Sequence, residues 1–442
     1  MLYKLHNNIL IVGLLSIGVL GAMAVDRSCC LMTLGTVFAF MSQLGLLMFV
    51  SREDHRDFSE KTLFWTVLLY SLLIGAAFML LSVYYSGDTF MFSKSDARFY
   101  YENSMKTADI GLTANIRRFT ALYDFDDCGA LVFDSVLMAI IPSKFFLNAV
   151  YMLTGAFSAV MLFRIGQHLM PRVYAYLAGL AYGTSSFLIF FHCTFLKESI
   201  FVFLVICAMY FFYEAVLGQK ALSYLWTAFF LFLILFFRPA VSAMLVVGFL
   251  AYFAVSKRGH AVSLIFFIMI AVLLPMVLIK MQDMVFEYTR GNMEGMIESG
   301  RAYDYSSSFS WFVSWFSAPF GPFPSLFPKV AGQPITINFY GAGLTYRLFL
   351  TIPLWLGIGY SWVRRDVRMI PLTVYVLVGM LGTGYVLASL ELRKVMTHVP
   401  FTFLLAFYGL YHWNKSGHKQ ITEPFFYLFS IGVLVLWNLI RG

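Results

Sequence analysis

The sequence predicts an all-α fold: a polytopic integral membrane helical bundle of about thirteen transmembrane helices, with interfacial helices in two outward loops. Three observations predict it. Hydrophobic residues fill 60% of 442 positions and charged residues only 12%, more apolar surface than a soluble core of this length hides, so the solvent is lipid. Apolar runs of span length, roughly 17–25 residues, recur along the chain, and in lipid such runs close their backbone hydrogen bonds internally as helices. The basic residues gather in alternate short connections, the pattern of cytoplasmic loops. Composition also narrows function. The net charge of +8 is scattered over inter-helix loops and does not point to nucleic acid. The five cysteines lack zinc-type or C-x-x-C spacing, and the adjacent Cys29 and Cys30 are poor disulfide partners. No P-loop, HExxH, Gly-x-Ser-x-Gly or dinucleotide fingerprint occurs.

Taken in order, residues 1–60 form an N-terminal hairpin built on the apolar runs 8–24 and 29–50. Ala22-Met23-Ala24 resembles a signal-peptidase site, but a second apolar run follows at once, and an uncleaved first helix is expected. A core over 61–280 contains the runs 61–85, 145–166, 172–192, 197–217, 222–237, 239–255 and 262–280, with a first outward loop at 86–144. The runs 222–237 and 239–255 are short, which suits broken or tilted spans. A second outward loop covers 281–342, and 343–442 supplies the runs 343–362, 369–390, 397–412 and 424–440. Helical glycines such as Gly155, Gly179 and Gly183 suit close helix packing. Arg52, Arg56 and Lys61, then Arg164 and Arg172, Lys257 and Arg258, Arg364, Arg365 and Arg368, and Lys415 and Lys419 all fall on one side if the helices alternate. That side is predicted to be cytoplasmic, with the N-terminus inside and both large loops outside.

The first outward loop carries structure of its own. Leu112, Ile116, Phe119, Leu122 and Tyr123 recur at helical spacing over 112–127 with Arg117 and Arg118 between them, an amphipathic helix in the interface. Residues 130–142 are apolar, too short to span comfortably and closed by Pro142, so a re-entrant or interfacial helix is expected. In the second loop Trp311, Trp315 and the proline-rich stretch 317–324 suit a segment at headgroup level.

Asp96 is the first candidate for chemistry. A partly desolvated carboxylate at a membrane surface has a raised pKa and accepts a proton from a hydroxyl. Arg98 opposes that shift or holds a phosphate instead, and Tyr100 follows it. The competing reading of Asp96 is a helix-capping or solvated acid, since Asp88, Glu102, Asp109, Asp124, Asp126 and Asp127 share the loop. Lys197 and Glu198 lie where one span ends and the next begins; ionisable groups there are costly and usually functional, or else mark a helix start. Arg238, between Phe237 and Pro239, offers a planar fork suited to phosphate oxygens, with snorkelling as the bland alternative. Arg393 and Lys394 fall on the outer face against the positive-inside bias, which hints at an anionic ligand there.

In order, these parts resemble the GT-C superfamily of integral-membrane glycosyltransferases that use polyprenyl-phosphate-linked sugars. The similarity is closest in style to bacterial protein O-mannosyltransferases and lipid A aminoarabinose transferases. Asp96-Ala97-Arg98-Phe99-Tyr100 is similar to that family's D-A-x-x-Y, followed by Arg164-Ile165-Gly166, Leu196-Lys197-Glu198 and Phe237-Arg238-Pro239. The resemblance covers residues 60–260 and elsewhere is one of hydropathy alone. Where the family has one helix before the acidic loop, this chain has an added N-terminal hairpin of two, and Pro322-Phe323-Pro324 resembles segments of oligosaccharide repeat-unit polymerases.

The resemblance implies an inverting glycosyl transfer on the outer face of a bacterial cytoplasmic membrane, in surface glycan or lipid glycoconjugate assembly. Asp96 is then the base, and Lys197, Arg238, Arg393 and Arg98 bind the donor phosphate, with Glu198, Tyr100 and Lys394 as further candidates. The implied partners are a polyprenyl-phosphate sugar donor, a glycan, lipid or protein acceptor, and the bilayer. No metal or other cofactor is predicted, with a divalent metal left open. Two alternatives stand beside single transfer: a repeat-unit polymerase, and a lipid-linked oligosaccharide flippase or transporter. Against transport, the sequence lacks an obvious inverted repeat of broken helices.

Overall fold

Helices carry every described element of the chain, and no strand occurs among the described residues. The computed structural model describes residues 41–47, 50, 58–87, 96–122, 128–256, 321, 343–344, 346–383, 395–416 and 419–441. Outside them lie the run 8–24, most of 29–50, the run 262–280, the Ala22–Ala24 site, Cys29 and Cys30, nearly all of the second outward loop, and Arg393 and Lys394.

The first long helix, α1 (Glu60–Ser86), starts where the Ser59 hydroxyl accepts the Thr62 N–H. It stops at Gly87, whose left-handed backbone returns its N–H to the Val83 carbonyl. Four short helices then fill the first loop: α2 (Asp96–Met105), α3 (Thr107–Ile110), α4 (Leu112–Leu122) and α5 (Cys128–Ile140). The central group is α6 (Lys144–Gln167), α7 (Arg172–Gly183), α8 (Ser186–Cys193) and α9 (Glu198–Val216). After it come α10 (Leu222–Leu235), α11 (Pro239–Val255), α12 (Thr351–Val363), a 3-10 turn (Val367–Met369), α13 (Ile370–Leu381), α14 (Val399–Lys415) and α15 (Lys419–Arg441).

Among the described residues α1, α6 and α9 are long and apolar enough to cross a membrane. The pair α7 and α8 qualifies only together, bent by 45° at the break. This corrects the single run predicted over 172–192. The hydroxyls of Thr184 and Ser185 turn back onto the carbonyls of Leu180 and Ala181, and Gln43 Nε2 donates to the same Ala181 carbonyl at 2.9 Å. The bonds to Ala181 satisfy a carbonyl that a straight helix would have paired with the Ser185 N–H, which turns instead to Tyr182. By contrast, 222–237 and 239–255 are separate helices of 14 and 17 residues, broken at Phe236–Arg238.

Helix α6 packs against α1, α7, α8 and α9, and α14 joins α12 to α7. Two side-chain bonds tie α6 to α9: Arg164 to Tyr210 at 3.1 Å and His168 to Glu214 at 3.2 Å, each across 46 residues. An equal offset at two points means that α6 and α9 run parallel, with bent α7–α8 as the return stroke. Between α12 and α14 the backbones touch. A Cβ on Gly409 would lie 2.0 Å from the Pro353 carbonyl oxygen, and one on Gly357 2.0 Å from that of Leu405.

The described basic connections gather at one end of this bundle. Arg164 forks onto Glu60 at 2.8 and 2.5 Å, Arg172 donates to the Phe58 carbonyl, and Arg368 donates to the His168 carbonyl. At the other end, residues 112–122 of the predicted amphipathic helix form α4, whose Phe119 lies on protein. Phe119 is fully buried in a small core with Tyr100 and Leu131, and the Asn115 amide binds Thr107 and the Asn103 carbonyl. The short apolar segment 130–142 is α5, 13 residues or roughly 20 Å long, less than a bilayer core.

Candidate functional site

Two helix breaks and one loop helix meet at the end of the bundle away from the basic connections. The first break joins α8 to α9 through Thr194–Lys197. Phe195 turns it with a left-handed φ of 54°, a conformation costing a side chain on the order of 1–2 kcal/mol. Its buried ring has packing to offset that cost. Tyr101 of α2 stacks on it at 5.9 Å, Tyr151 of α6 meets it edge-on at 5.8 Å, and the Lys144 ammonium lies 5.5 Å from Tyr101 and 5.7 Å from Phe195. Strain of this kind, held by surrounding packing, clusters at functional sites.

Immediately beyond the turn, half-buried Lys197 caps α9 and Glu198 begins it. Glu198 is fully buried and accepts a bond from Arg238 Nη2 at 3.2 Å. Arg238 stands in the second break as the N-cap of α11, with Pro239 at the first helical position, where a missing N–H costs nothing. Its guanidinium lies over Phe201 at 5.7 Å, and Phe201 stacks on Phe237. Among the described residues one N–H of the fork is committed, to Glu198.

The loop helices close over this pair. Gly129 of α5 donates its N–H to the Phe236 carbonyl at 3.0 Å, and a Cβ there would lie 2.6 Å from the Phe237 ring. The same helix presents Asp134, fully buried, whose Oδ1 accepts the Tyr151 hydroxyl at 2.8 Å. Its Oδ2 has no hydrogen-bond partner among the described residues. Burial pushes the Asp134 carboxyl up to about 8, against the lowering effect of the Tyr151 bond, so it holds a proton at neutral pH. Tyr151 is also within electrostatic reach of Tyr100 and Glu198, which places all four groups together.

Of the sequence candidates, Lys197, Glu198 and Arg238 therefore converge. Asp96 is the first residue of α2, one turn before the tyrosines that dock on Phe195 and Phe119. Tyr100 is buried, and Arg98 pairs with Glu102 at 2.7 Å on the exposed face of α2. Arg393 and Lys394 lie outside the described residues. Three members were missed: Asp134, Tyr151 and Lys144. A signal for the first existed, an acid inside the apolar run ALVFDSVLMAIIP, where a charge is costly.

Among the described residues, Lys144, Lys197 and Arg238 are cations at this end, and Arg238 is paired with Glu198. Among the described residues no group of three or more His, Cys, Asp or Glu side chains is placed to hold a metal ion. A cavity of about 660 Å³ lies elsewhere, at the basic end beside His168 and Arg368. No protein-family model matches the chain, and no curated protein matches it.

Proposed function

We propose that the chain is a membrane glycosyltransferase that moves a sugar from a polyprenyl-phosphate donor to an acceptor on the outer face of a bacterial cytoplasmic membrane. The proposal includes a GT-C-like bundle of about thirteen spans, with the end that holds Arg238 facing outward. One observation carries it. Lys197, Glu198 and Arg238 meet at the end opposite the basic connections, under the helix that Asp96 opens.

In this reading Asp96 takes the proton of the acceptor hydroxyl as its oxygen bonds to the anomeric carbon. The bond from that carbon to the phosphate oxygen breaks on the opposite face, so the configuration inverts and polyprenyl phosphate leaves with the electron pair. Arg238, oriented by buried Glu198, and Lys197 neutralise the departing phosphate, the fixed electrostatics such a step needs. Arg98 contributes only by giving up Glu102. Arg393 and Lys394 are proposed on the same face.

The test is transfer from a polyprenyl-phosphate sugar in membranes carrying Asp96→Asn or Arg238→Ala. Loss of the base is expected to slow transfer by roughly 10²–10⁴-fold. Undiminished transfer by Asp96→Asn removes it from the mechanism. Movement of the lipid-linked sugar across the bilayer with no new glycosidic bond overturns the enzyme reading in favour of a transporter. Product length separates single transfer from polymerisation.

A further inference from the structure

The basic end holds a cavity that the glycosyl-transfer reading does not use. It encloses about 660 Å³, within the roughly 300–1,000 Å³ of small-molecule sites, and its walls include His168, Arg364, Arg365, Arg368, Tyr408 and His412. Arg368 is engaged through all three of its nitrogens. It forks onto Asp366 at 2.8 Å through Nε and Nη2, and its Nη1 reaches the His168 carbonyl at 2.9 Å. Tyr408 donates to the second Asp366 oxygen at 3.2 Å. Burial raises the Asp366 carboxyl, but the bonds and charge of Arg368 outweigh it and hold it below the usual range, so Asp366 stays ionised and balances Arg368. Among the described residues, the exposed guanidiniums of Arg364 and Arg365 are then surplus positive charge at the cavity.

Two further features separate this cavity from an ordinary basic loop. Arg365 occupies the left-handed position that ends α12, φ 52°, with its N–H on Trp362 and the Asp366 N–H on Ser361. Glycine is the residue that this cap geometry favours, so an arginine there carries a conformational cost. His412 is 7% exposed, lines the cavity between Tyr408 and Tyr411, and its Nδ1 has no hydrogen-bond partner among the described residues. The C-terminal dipole of α12 accounts for cations nearby. It does not account for an arginine in glycine's place.

We propose that this cavity binds a phosphate group, on a phospholipid headgroup or on a soluble phosphate ester, with Arg364 and Arg365 as its cationic contacts and His412 as a buried hydrogen-bonding wall. The site is independent of the transfer reaction and stands whether or not that reading survives.

The test uses the full chain purified in detergent, titrated with pyrophosphate, and reconstituted in phosphatidylcholine vesicles with and without phosphatidylglycerol. Arg365→Gly is the diagnostic variant. It relieves the left-handed backbone, so its unliganded melting temperature should rise, while binding weakens roughly tenfold, equivalent to about 1.4 kcal/mol. Arg364→Gln should weaken binding without that rise. Pyrophosphate binding lost in both variants assigns a soluble phosphate. Phosphatidylglycerol-dependent stabilisation lost in both, with no pyrophosphate binding, assigns a headgroup. Absence of both effects in the unmodified chain, or equal binding by the variants, overturns the site.

Discussion

Glu198 is a carboxylate wholly withdrawn from solvent, and its bond to Arg238 Nη2 is the residue-scale centre of the polar end. Truncating one partner of such a pair costs more than the pair contributes, because the remaining charge keeps its desolvation. Glu198→Ala is therefore expected to lose about 2 kcal/mol of stability, a value held down by the quarter exposure of Arg238. Glu198→Gln keeps an acceptor for the guanidinium and should lose less. Thermal unfolding in detergent measures both, and equal losses would mean that packing, not charge, holds the break. Lys197, Glu198 and Arg238 were legible in the sequence because each is ionisable and sits at the edge of an apolar run. Asp134 was hidden by its own surroundings, since averaging a run as apolar conceals the one acid within it. Tyr151 and Lys144 had no signal at all. A tyrosine in a span and a lysine at a helix start are ordinary until Asp134 and Phe195 are seen beside them.

At the scale of elements, hydropathy located the helices and missed how they meet. The run 61–85 is α1 and 145–166 is α6, within two residues at each end. The bend between α7 and α8 was invisible, because hydroxyls that bond back to the preceding turn leave mean hydropathy unchanged. Close packing was partly legible. Gly179 faces the Ala159 carbonyl, where a Cβ would lie 2.6 Å away, as its place in a span suggested. The tightest contact is between α12 and α14, and it yields a sharp prediction. In Gly409→Ala the new methyl meets a backbone carbonyl, which cannot rotate aside, so the two helices must separate. A loss of about 1–3 kcal/mol is expected, the usual cost of overpacking, read as a lower melting temperature. Gly432, with open space around its Cβ position, is the control: alanine there should be harmless. Equal melting of both variants with the parent would show that the contact is not load-sharing.

For the whole molecule, the predicted sidedness of the basic loops has a structural counterpart, since the described ones collect around His168, Arg172 and Arg368. The proposed orientation predicts a labelling pattern. Ile141 lies exposed between α5 and α6 at the polar end, and Gln219 lies exposed between α9 and α10 at the basic end. Ile141→Cys should react with an impermeant maleimide in intact cells, and Gln219→Cys only after permeabilisation; the reverse pattern would invert the topology and place the proposed site inside. The described native cysteines, Cys128, Cys193 and Cys207, are buried. The number of spans was legible only as a count of apolar runs, because hydropathy says nothing of which runs bend or stop short. The parallel course of α6 and α9 has one more consequence. Peptide dipoles add along a helix to roughly half a positive charge at its first turn and half a negative charge at its last. Parallel helices do not cancel. The first turns of α6, α9 and α11 all lie at the end that holds Lys144, Glu198 and Arg238, and the last turns of α6, α9, α12 and α14 lie at the end rich in arginine. Helices α1, α7, α10 and α13 start at the arginine end and offset this over the bundle as a whole, so the effect is local. The first turns of α9 and α11 add partial positive charge beside Glu198 and Arg238, where a phosphate is proposed to depart.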